Sequence, residues 1–485
     1  MKVQGTLIAV MLLGLAAIIF FVADTFRTMP AGPTEGDKTM PGVFMTWPGD
    51  EDTSGVDVAL DGDRNIYVVG TFREEPGINT MRDSQRRLYP QVSLVKINNL
   101  GEQEWLISWP GDPCDVVADK NGNVYVAGIF EGVIDFDPSD ASARRGAEDS
   151  RMVFLSKFDR SGEFEWVRTW GESRVNTTIG LAVDDFGSVC IGGTFARLRD
   201  ADITRGWRAT SAGAGHNIFI HKFDSSGNTQ WRYTGPGYDF GDLMAISADN
   251  ENNVYLSGCT IDPSQPDINA SGGAPACRCG NIFLIKFTQF GEQLWTNSWP
   301  DASGIIRNPE LAAGSTGHIY LAGEFTGDIE SGLNPDALPS PRNSKPGAFV
   351  ACFNSAGETI WLKTWRGSES GSATGVAADP DGDVYVVGFY NGTASLQVGD
   401  TAKHLESKGS GPDAFFVALS PDGDFKYVHS WGGSGSEFAH GVAVDSTGHA
   451  FVTGEYHGTS TADFTDSANL AMRNGAYLIE FTPEG

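Results

Sequence analysis

The chain of 485 residues carries 62 acidic against 34 basic side chains, a formal charge of −28, which argues against nucleic acid as a partner because phosphate recognition needs clustered positive charge. Its hydrophobic fraction of 40% and aromatic fraction of 11% are enough for a sizeable core and exclude a wholly disordered acidic chain. The length alone would suggest two to four domains, six cysteines are too few for a disulfide scaffold, and 61 glycines with 12 Trp and 29 Phe point to many short strands joined by tight turns.

At the N-terminus, Thr6 to Ala23 is uncharged over 18 residues and follows Lys2. As a helix it would reach roughly 27 Å, close to the thickness of a bilayer's hydrocarbon core. A cleavable signal peptide has a shorter apolar region and a small-residue cleavage site, whereas Phe21 stands near the end of this one. The expected organisation is therefore an uncleaved signal anchor or transmembrane helix over 1–26, with a cleaved signal peptide and a buried core helix as the alternatives. Residues 27–42, rich in Pro, Gly and Thr, read as a flexible linker.

From residue 43 onward one unit recurs. IYVVGTF at Ile66 returns at Val124, Val189, Val254, Ile319, Val384 and Ala450, placing its glycine at 70, 128, 193, 258, 323, 388 and 454. A second signature, a turn glycine before an aromatic residue, ends at Trp105, Trp166, Trp231, Trp295, Trp361 and Tyr427. Each unit reads as four strands, here called a to d in chain order: a small-residue strand (GVAVD), the IYVVG strand, an AFFVALS strand and a strand with aromatic residues four apart on one face. The last unit stops after strand c, and VFMTWPG at Val43–Gly49 resembles the missing strand d. The expectation is an all-β, seven-bladed β-propeller of four-stranded blades over 43–485, closed by the N-terminal strand; an open solenoid is the alternative.

The AFV-K-F-D strand, turn glycine, tryptophan, G-V-A-x-D and N-V-Y-V-x-G pattern, with VIDFDP at Val133–Pro138, resembles the SBBP repeats, the seven-bladed β-propeller repeats of exported bacterial proteins. The resemblance covers 43–485 and implies the propeller fold and an extracytoplasmic setting, periplasmic or at the cell surface. It implies little about activity, because a fold does not imply a function.

In such a blade the d–a and b–c connections share one face. The b–c segments are the long ones, so a site is expected on that loop face, around the channel mouth. Its d–a connections carry Asp50, Glu51, Asp52, Asp112, Asp115, Glu172, Asp239, Asp242, Asp301, Glu310, Glu369 and Glu437, an acidic rim that could attract Ca²⁺ or a basic partner, or simply a set of solvated loop residues. Asp61, Asp119, Asp379 and Asp445 sit in turns whose glycine falls too early for a calcium loop and suits backbone-capping Asp turns. Asp135, Asp137 and Asp140 are weak metal candidates. Cys259 with Cys277 or Cys279 could form a disulfide, remain as thiols or bind a metal; Cys190 and Cys352 read as buried strand residues. The eight histidines show no zinc spacing, no G-x-S-x-G occurs, and His440 near Glu437 reads as a packed or solvated residue.

No cofactor beyond calcium is suggested. The leading expectation is a membrane-tethered binding or scaffolding module at the bacterial cell envelope, with a protein or polysaccharide partner. A carbohydrate-active hydrolase or lyase using mouth carboxylates and a structural component of a surface assembly are the alternatives.

Overall fold

The structure is a computed structural model. It describes residues 42–49, 52–72, 91–139, 141–171, 179–195, 197–199, 208–210, 217–235, 240–261, 279–299, 305–327, 329, 345–398, 401–458 and 474–483. The expected signal anchor and nearly all of the linker lie outside these residues. Among the described residues no helix is long and apolar enough to cross a membrane.

Four-stranded antiparallel sheets follow one another along the chain. Blade 1 comprises strands a to d at Gly55–Leu60, Ile66–Gly70, Gln91–Ile97 and Gln103–Pro110. Blade 2 has Asp112–Ala118, Val124–Asp135, Arg144–Phe158 and Phe164–Trp170; blade 3 has Ile179–Val183, Val189–Phe195, Asn217–Phe223 and Thr229–Thr234. Blade 4 runs through Phe240–Ala248, Val254–Ile261, Cys279–Phe287 and Gln293–Trp299, and blade 5 through Ile305–Ala313, Ile319–Thr326, Gly347–Phe353 and Thr359–Arg366. Blade 6 has Ser370–Ala378, Val384–Asn391, Asp413–Leu419 and Phe425–Trp431; blade 7 has Ser436–Val444, Ala450–His457, Asn474–Phe481 and, as its strand d, Gly42–Pro48. The a strands pack against one another in succession, with blade 7 returning to blade 1. The chain is thus an all-β, seven-bladed propeller, one ring in place of several domains.

The a–b turns are shaped by their aspartates. In blade 6 Asp379 Oδ1 accepts from the N–H groups of Asp381 (3.0 Å) and Asp383 (2.9 Å), and its Oδ2 accepts from the Tyr385 hydroxyl (2.9 Å). The equivalent tyrosine of one blade also donates to the turn carbonyl of the next: Tyr67 to Gly122 O, Tyr125 to Gly187 O and Tyr320 to Gly382 O. The first aromatic residue of strand d does the same further out. Trp105, Trp166, Trp231, Trp295 and Trp361 donate their indole N–H groups to Arg160 O, Ser225 O, Gln289 O, Ser355 O and Pro421 O, at 2.8–3.3 Å, each in the following blade's c–d hairpin. Between the blades lie seven apolar clusters, one per interface.

The ring closes through the first described residues. Gly42–Pro48 pairs with the last strand from Gly42↔Glu480 to Pro48↔Gly475, so the open solenoid is excluded. Trp47 is buried and stacks on Phe72 of blade 1 at 4.6 Å. On the opposite face Arg64 reaches across the same seam, its Nε 2.6 Å from Asp445 Oδ2. Arg64 has φ of 64°, at a turn position where five other blades have glycine and blade 4 has Asn252, at φ 63°. That uncommon conformation is held where the side chain joins blade 1 to blade 7.

The b–c segments of blades 2 and 6, expected at the loop face, are described and also reach the core between blades. In blade 2 strands b and c continue pairing to Asp135↔Arg144, and Phe136 is buried in the core shared with blade 1. In blade 6 a hairpin of Thr393–Val398 and Thr401–Glu406 buries Ala394, Leu396 and Leu405 in the core shared with blade 5. Burial of these apolar side chains against the preceding blade favours this arrangement.

Replacing Trp47 by Ala should destabilise the ring by about 3–5 kcal/mol, measured as a lower urea midpoint; an unchanged midpoint would mean that the seam does not depend on this strand.

Candidate functional site

One position of strand a faces its counterparts around the channel. It pairs with the residue just before the recurring strand-b glycine, and the seven occupants are Asp57, Asp115, Gly180, Ala245, Glu310, Gly375 and Gly441. Three acids and four small residues therefore share one level. Asp57 Oδ2 accepts from Val116 N of blade 2 (3.2 Å) and Asp115 Oδ2 from Leu181 N of blade 3 (2.6 Å), satisfying amides on the channel-facing edge of the sheet. A Cβ at Gly441 would stand 2.4 Å from Asp57 Oδ1, so blade 7 has to leave this space open. Across the channel, blade 5 carries a two-residue irregularity between Arg307 and Glu310, with Asn308 at φ 48°, which brings Glu310 to the same level.

Each of the three acids is half-buried. Burial holds the Asp57 carboxyl above its ordinary range; burial, then the Asp57 charge, hold Asp115 well above it. Glu310 is pushed up to about 8 by burial and the Asp57 charge. Beside them the Cys114 thiol is pushed up to about 12, mainly by burial, which leaves it a poor nucleophile at neutral pH.

The expected rim is thus distributed differently from a ring of loop carboxylates. Asp112, Asp115, Asp242, Glu310 and Glu437 lie within a strands. Glu437 is buried, its Oε2 accepting from Gly433 N at 3.2 Å. Asp52 and Glu369 are exposed on d–a connections. Asp50, Glu51, Glu172, Asp239 and Asp301 lie outside the described residues, as does the side chain of Asp242.

Asp135 uses both oxygens locally, on Ser142 Oγ, Ala143 N and Asp137 N, and Asp137 caps Ser139 N; Asp140 is not among the described residues. The Ser142 and backbone bonds hold Asp135 below the usual carboxylate range against some desolvation. Among the described residues no three His, Cys, Asp or Glu side chains are placed to hold a metal ion. Cys277 lies outside them, as do the side chains of Cys259 and Cys279, while Cys190 and Cys352 are buried in strands.

A second cluster stands at the loop-face end of blade 7. His440 occupies a bulge in strand a. Its Nε2 lies 3.6 Å from Glu455 Oε1, and His457 Nε2 approaches the same oxygen at 3.2 Å. Phe438 lies beside both imidazoles, 6.3 Å from each ring centre, and meets Phe389 of blade 6 edge-on at 5.0 Å. Some desolvation opposes ionisation of Glu455, but its bonds to His440, Ser54 and His457 pull the carboxyl down to about 2. The two imidazoles remain partly exposed. Blades 6, 7 and 1 thus combine here an aromatic pair, two imidazoles and a fixed negative charge, a surface able to stack on and hydrogen-bond to a ligand.

Sequence reasoning named His440 in another role and missed Asp57, Phe389, Phe438, Glu455 and His457. For the channel acids a signal existed: in the aligned repeats the place four residues before the first turn residue (Asp in six copies, Gly314 in blade 5) is Gly or Ala in four copies and acidic in three. For the mouth cluster none did, since its residues come from unlike positions.

No family profile matches the chain. It is 20% identical over 448 residues to an uncharacterized WD repeat-containing protein of Acanthamoeba polyphaga mimivirus, covering 76% of this chain and 32% of that one. It is 27% identical over 360 residues to the regulatory protein FlaEY of Caulobacter vibrioides, covering 70% of this chain and 36% of that one. The chain spans about one third of the length of these curated relatives. Among solved structures, the Neurospora crassa Pan2 WD40 domain aligns over 93% of this chain and 98% of that one at a TM-score of 0.43 and 9% identity. The polysaccharide lyase Uly1 aligns over 94% and 95% at 0.41 and 8%. The sheets, their closed ring and the WD-repeat relative define a β-propeller repeat protein.

Because folding favours the ionised form of Glu455, this group adds stability above its unfolded pKa of 4.5 and loses it as pH falls towards about 2. Glu455→Gln should therefore lower the melting temperature at neutral pH and shrink the difference from wild type over that acid range; a difference that does not change with pH would show that the charge contributes nothing.

Proposed function

We propose that the chain is an exported β-propeller that serves as a binding or scaffolding module at the cell envelope, tethered by its N-terminal segment. The observation that carries the binding reading is the half-open patch of Phe389, Phe438, His440, Glu455 and His457 on the loop face. Elsewhere the interfaces between blades are filled by apolar clusters, and the channel acids of blades 1 and 2 are engaged in backbone ties. A surface with an aromatic anchor ringed by polar groups is the usual anatomy of a protein or glycan contact. The uncharged stretch from Thr6 to Ala23 supports the tether, and the resemblance to SBBP repeats supports export.

Affinity capture from native membranes tests this reading, comparing the full-length protein with a Phe438→Ala, His457→Ala variant. The expected result is loss of the captured partner from the variant, with its melting temperature within a few degrees of wild type. An identical set of captured molecules would remove the patch as the binding surface. Fractionation of cells should place wild type in the membrane and a chain lacking residues 6–23 outside it.

A further inference from the structure

We propose, resting on the tether reading of Thr6–Ala23, that the hairpin face of the ring, where the a–b turns and c–d hairpins lie, sits on a zwitterionic lipid surface and inserts Leu100, Phe186 and Phe290 into it. The seven a–b turns and six c–d hairpins are copies of one turn. In each, the N–H of the first residue donates to the carbonyl of the fifth, and the N–H of the fourth donates to the carbonyl of the first. The first side chain commonly takes the third N–H as well, as Asp379 does from Asp381 (3.0 Å) and Asp159 from Ser161 (2.8 Å). The same bond holds Leu100 N to Asn98 Oδ1 (3.0 Å), Phe186 N to Asp184 Oδ1 (2.9 Å) and Phe290 N to Thr288 Oγ1 (3.3 Å).

The turn is thus made by its first residue and by the fourth, which has positive φ in every copy. An apolar side chain in third place adds nothing to it. In ten copies that place is Asp, Glu, Asn, Ser, Thr or Ala. In the other three, Leu100, Phe186 and Phe290 stand 80%, 72% and 75% exposed. Holding this apolar surface in water is unfavourable, and folding does not require it.

The apolar surface continues beside Phe290. Leu294 of blade 4 and Ile360 of blade 5 are exposed directly before Trp295 and Trp361, at the place where blades 1 and 2 have Glu104 and Glu165. Phe186 belongs to the same sector. Ser188 Oγ in its turn accepts from Gln230 Nε2 of the outer strand, and Trp231, the next residue, donates to Gln289 O beside Phe290.

Two features single out a bilayer as the occupant. The chain enters the ring from this face: Gly42 begins strand d of blade 7 opposite Glu480, at the end where the other outer strands leave their c–d hairpins. Eighteen residues, Asp24–Pro41, separate it from the apolar stretch in sequence, and a flexible linker of that length spans about 23 Å on average. The three tips also stand singly, on turns of blades 1, 3 and 4, beside the exposed acids Glu102, Asp185 and Glu292. A protein interface is built on a contiguous buried centre, whereas a bilayer takes single apolar side chains into its interfacial layer. The acids set the headgroup. Outward ammonium or choline groups of zwitterionic lipids pair with them, and anionic headgroups repel them. The loop-face patch of Phe438 and His457 is then directed away from the bilayer.

The test is photo-crosslinking of the full-length protein in phosphatidylcholine vesicles, with benzoyl-phenylalanine placed at position 186, at 290 or, on the loop face, at 410, where Ser410 is exposed. Flotation with the vesicles and the melting temperature are read alongside. The expected result is co-flotation, an unchanged melting temperature, and lipid adducts at 186 and 290 severalfold above those at 410. Absence of lipid adducts at 186 and 290, equal yields at all three positions, or adducts to a second copy of the chain in place of lipid would overturn the proposal. A chain that floats without lipid adducts at 186 and 290 removes this proposal and leaves the tether standing; a chain that does not float removes both. Partner capture by the patch enters neither readout.

Discussion

The arrangement rests on a contact repeated from blade to blade: an indole N–H in the outer strand donating to a carbonyl in the next blade's c–d hairpin. A sheet cannot bury both faces alone, and a ring of sheets leaves wedge-shaped gaps that widen outward. The tryptophan fills the wide end of the wedge and its single donor fixes how far the neighbour turns. Nearer the axis the strand-b tyrosines impose the same constraint with a hydroxyl. In the sixth blade Tyr427 takes the place of the tryptophan, and its hydroxyl donates to Thr482 O of blade 7. The substitution keeps the constraint while changing the donor. Since the angle between blades is set at the periphery, the inner strands meet at a defined spacing, which lets three acids and four small residues share one level of the channel.

Much of the architecture could be read from the sequence because its causes are local. The IYVVG strand, the Asp-led turn and the aromatic residues four apart each state a backbone conformation or a face, and repetition makes the statement unambiguous. The closing strand was legible because strand d has its own signature and VFMTWPG bears it. The packing of the b–c segments in blades 2 and 6 was not legible because length says nothing about where apolar residues find cover: Phe136, Leu396 and Leu405 follow the neighbouring blade's core, a tertiary property. Acidic residues were assigned to the rim by their position between strands. Asp115, Glu310 and Glu437 instead extend strand a, because bulges lengthen these strands towards the mouth.

Strand a therefore has two duties along its length. Its turn-proximal half is packed against neighbouring blades, while its mouth-proximal half is irregular, with bulges at Cys114, Thr374 and His440. The same irregularity that disrupts pairing presents His440 beside Glu455 and brings Glu310 to the level of Asp57. Regular repetition holds the scaffold, and the departures from it supply the chemical variety that a seven-fold copy would lack. Calcium gains no support from the turn acids: Asp379 is committed to amides and a hydroxyl of its turn and strand, and Asp445 to turn amides and to Arg64 of blade 1.

The closing strand also orders events in time. Gly42–Pro48 is among the first described segments to leave the ribosome, and its partner Asn474–Phe481 is the last. At about 5–20 residues per second of synthesis the interval is on the order of tens of seconds, during which Val43, Met45 and Trp47 have no native sheet to join. Six blades can assemble from contacts close in sequence, but the seventh must wait for a contact spanning almost the whole ring. The irregular pairing between Val43 and Met45 and the proline at position 48 make this strand a poor template for pairing with another chain, which suits a segment that has to wait unpaired.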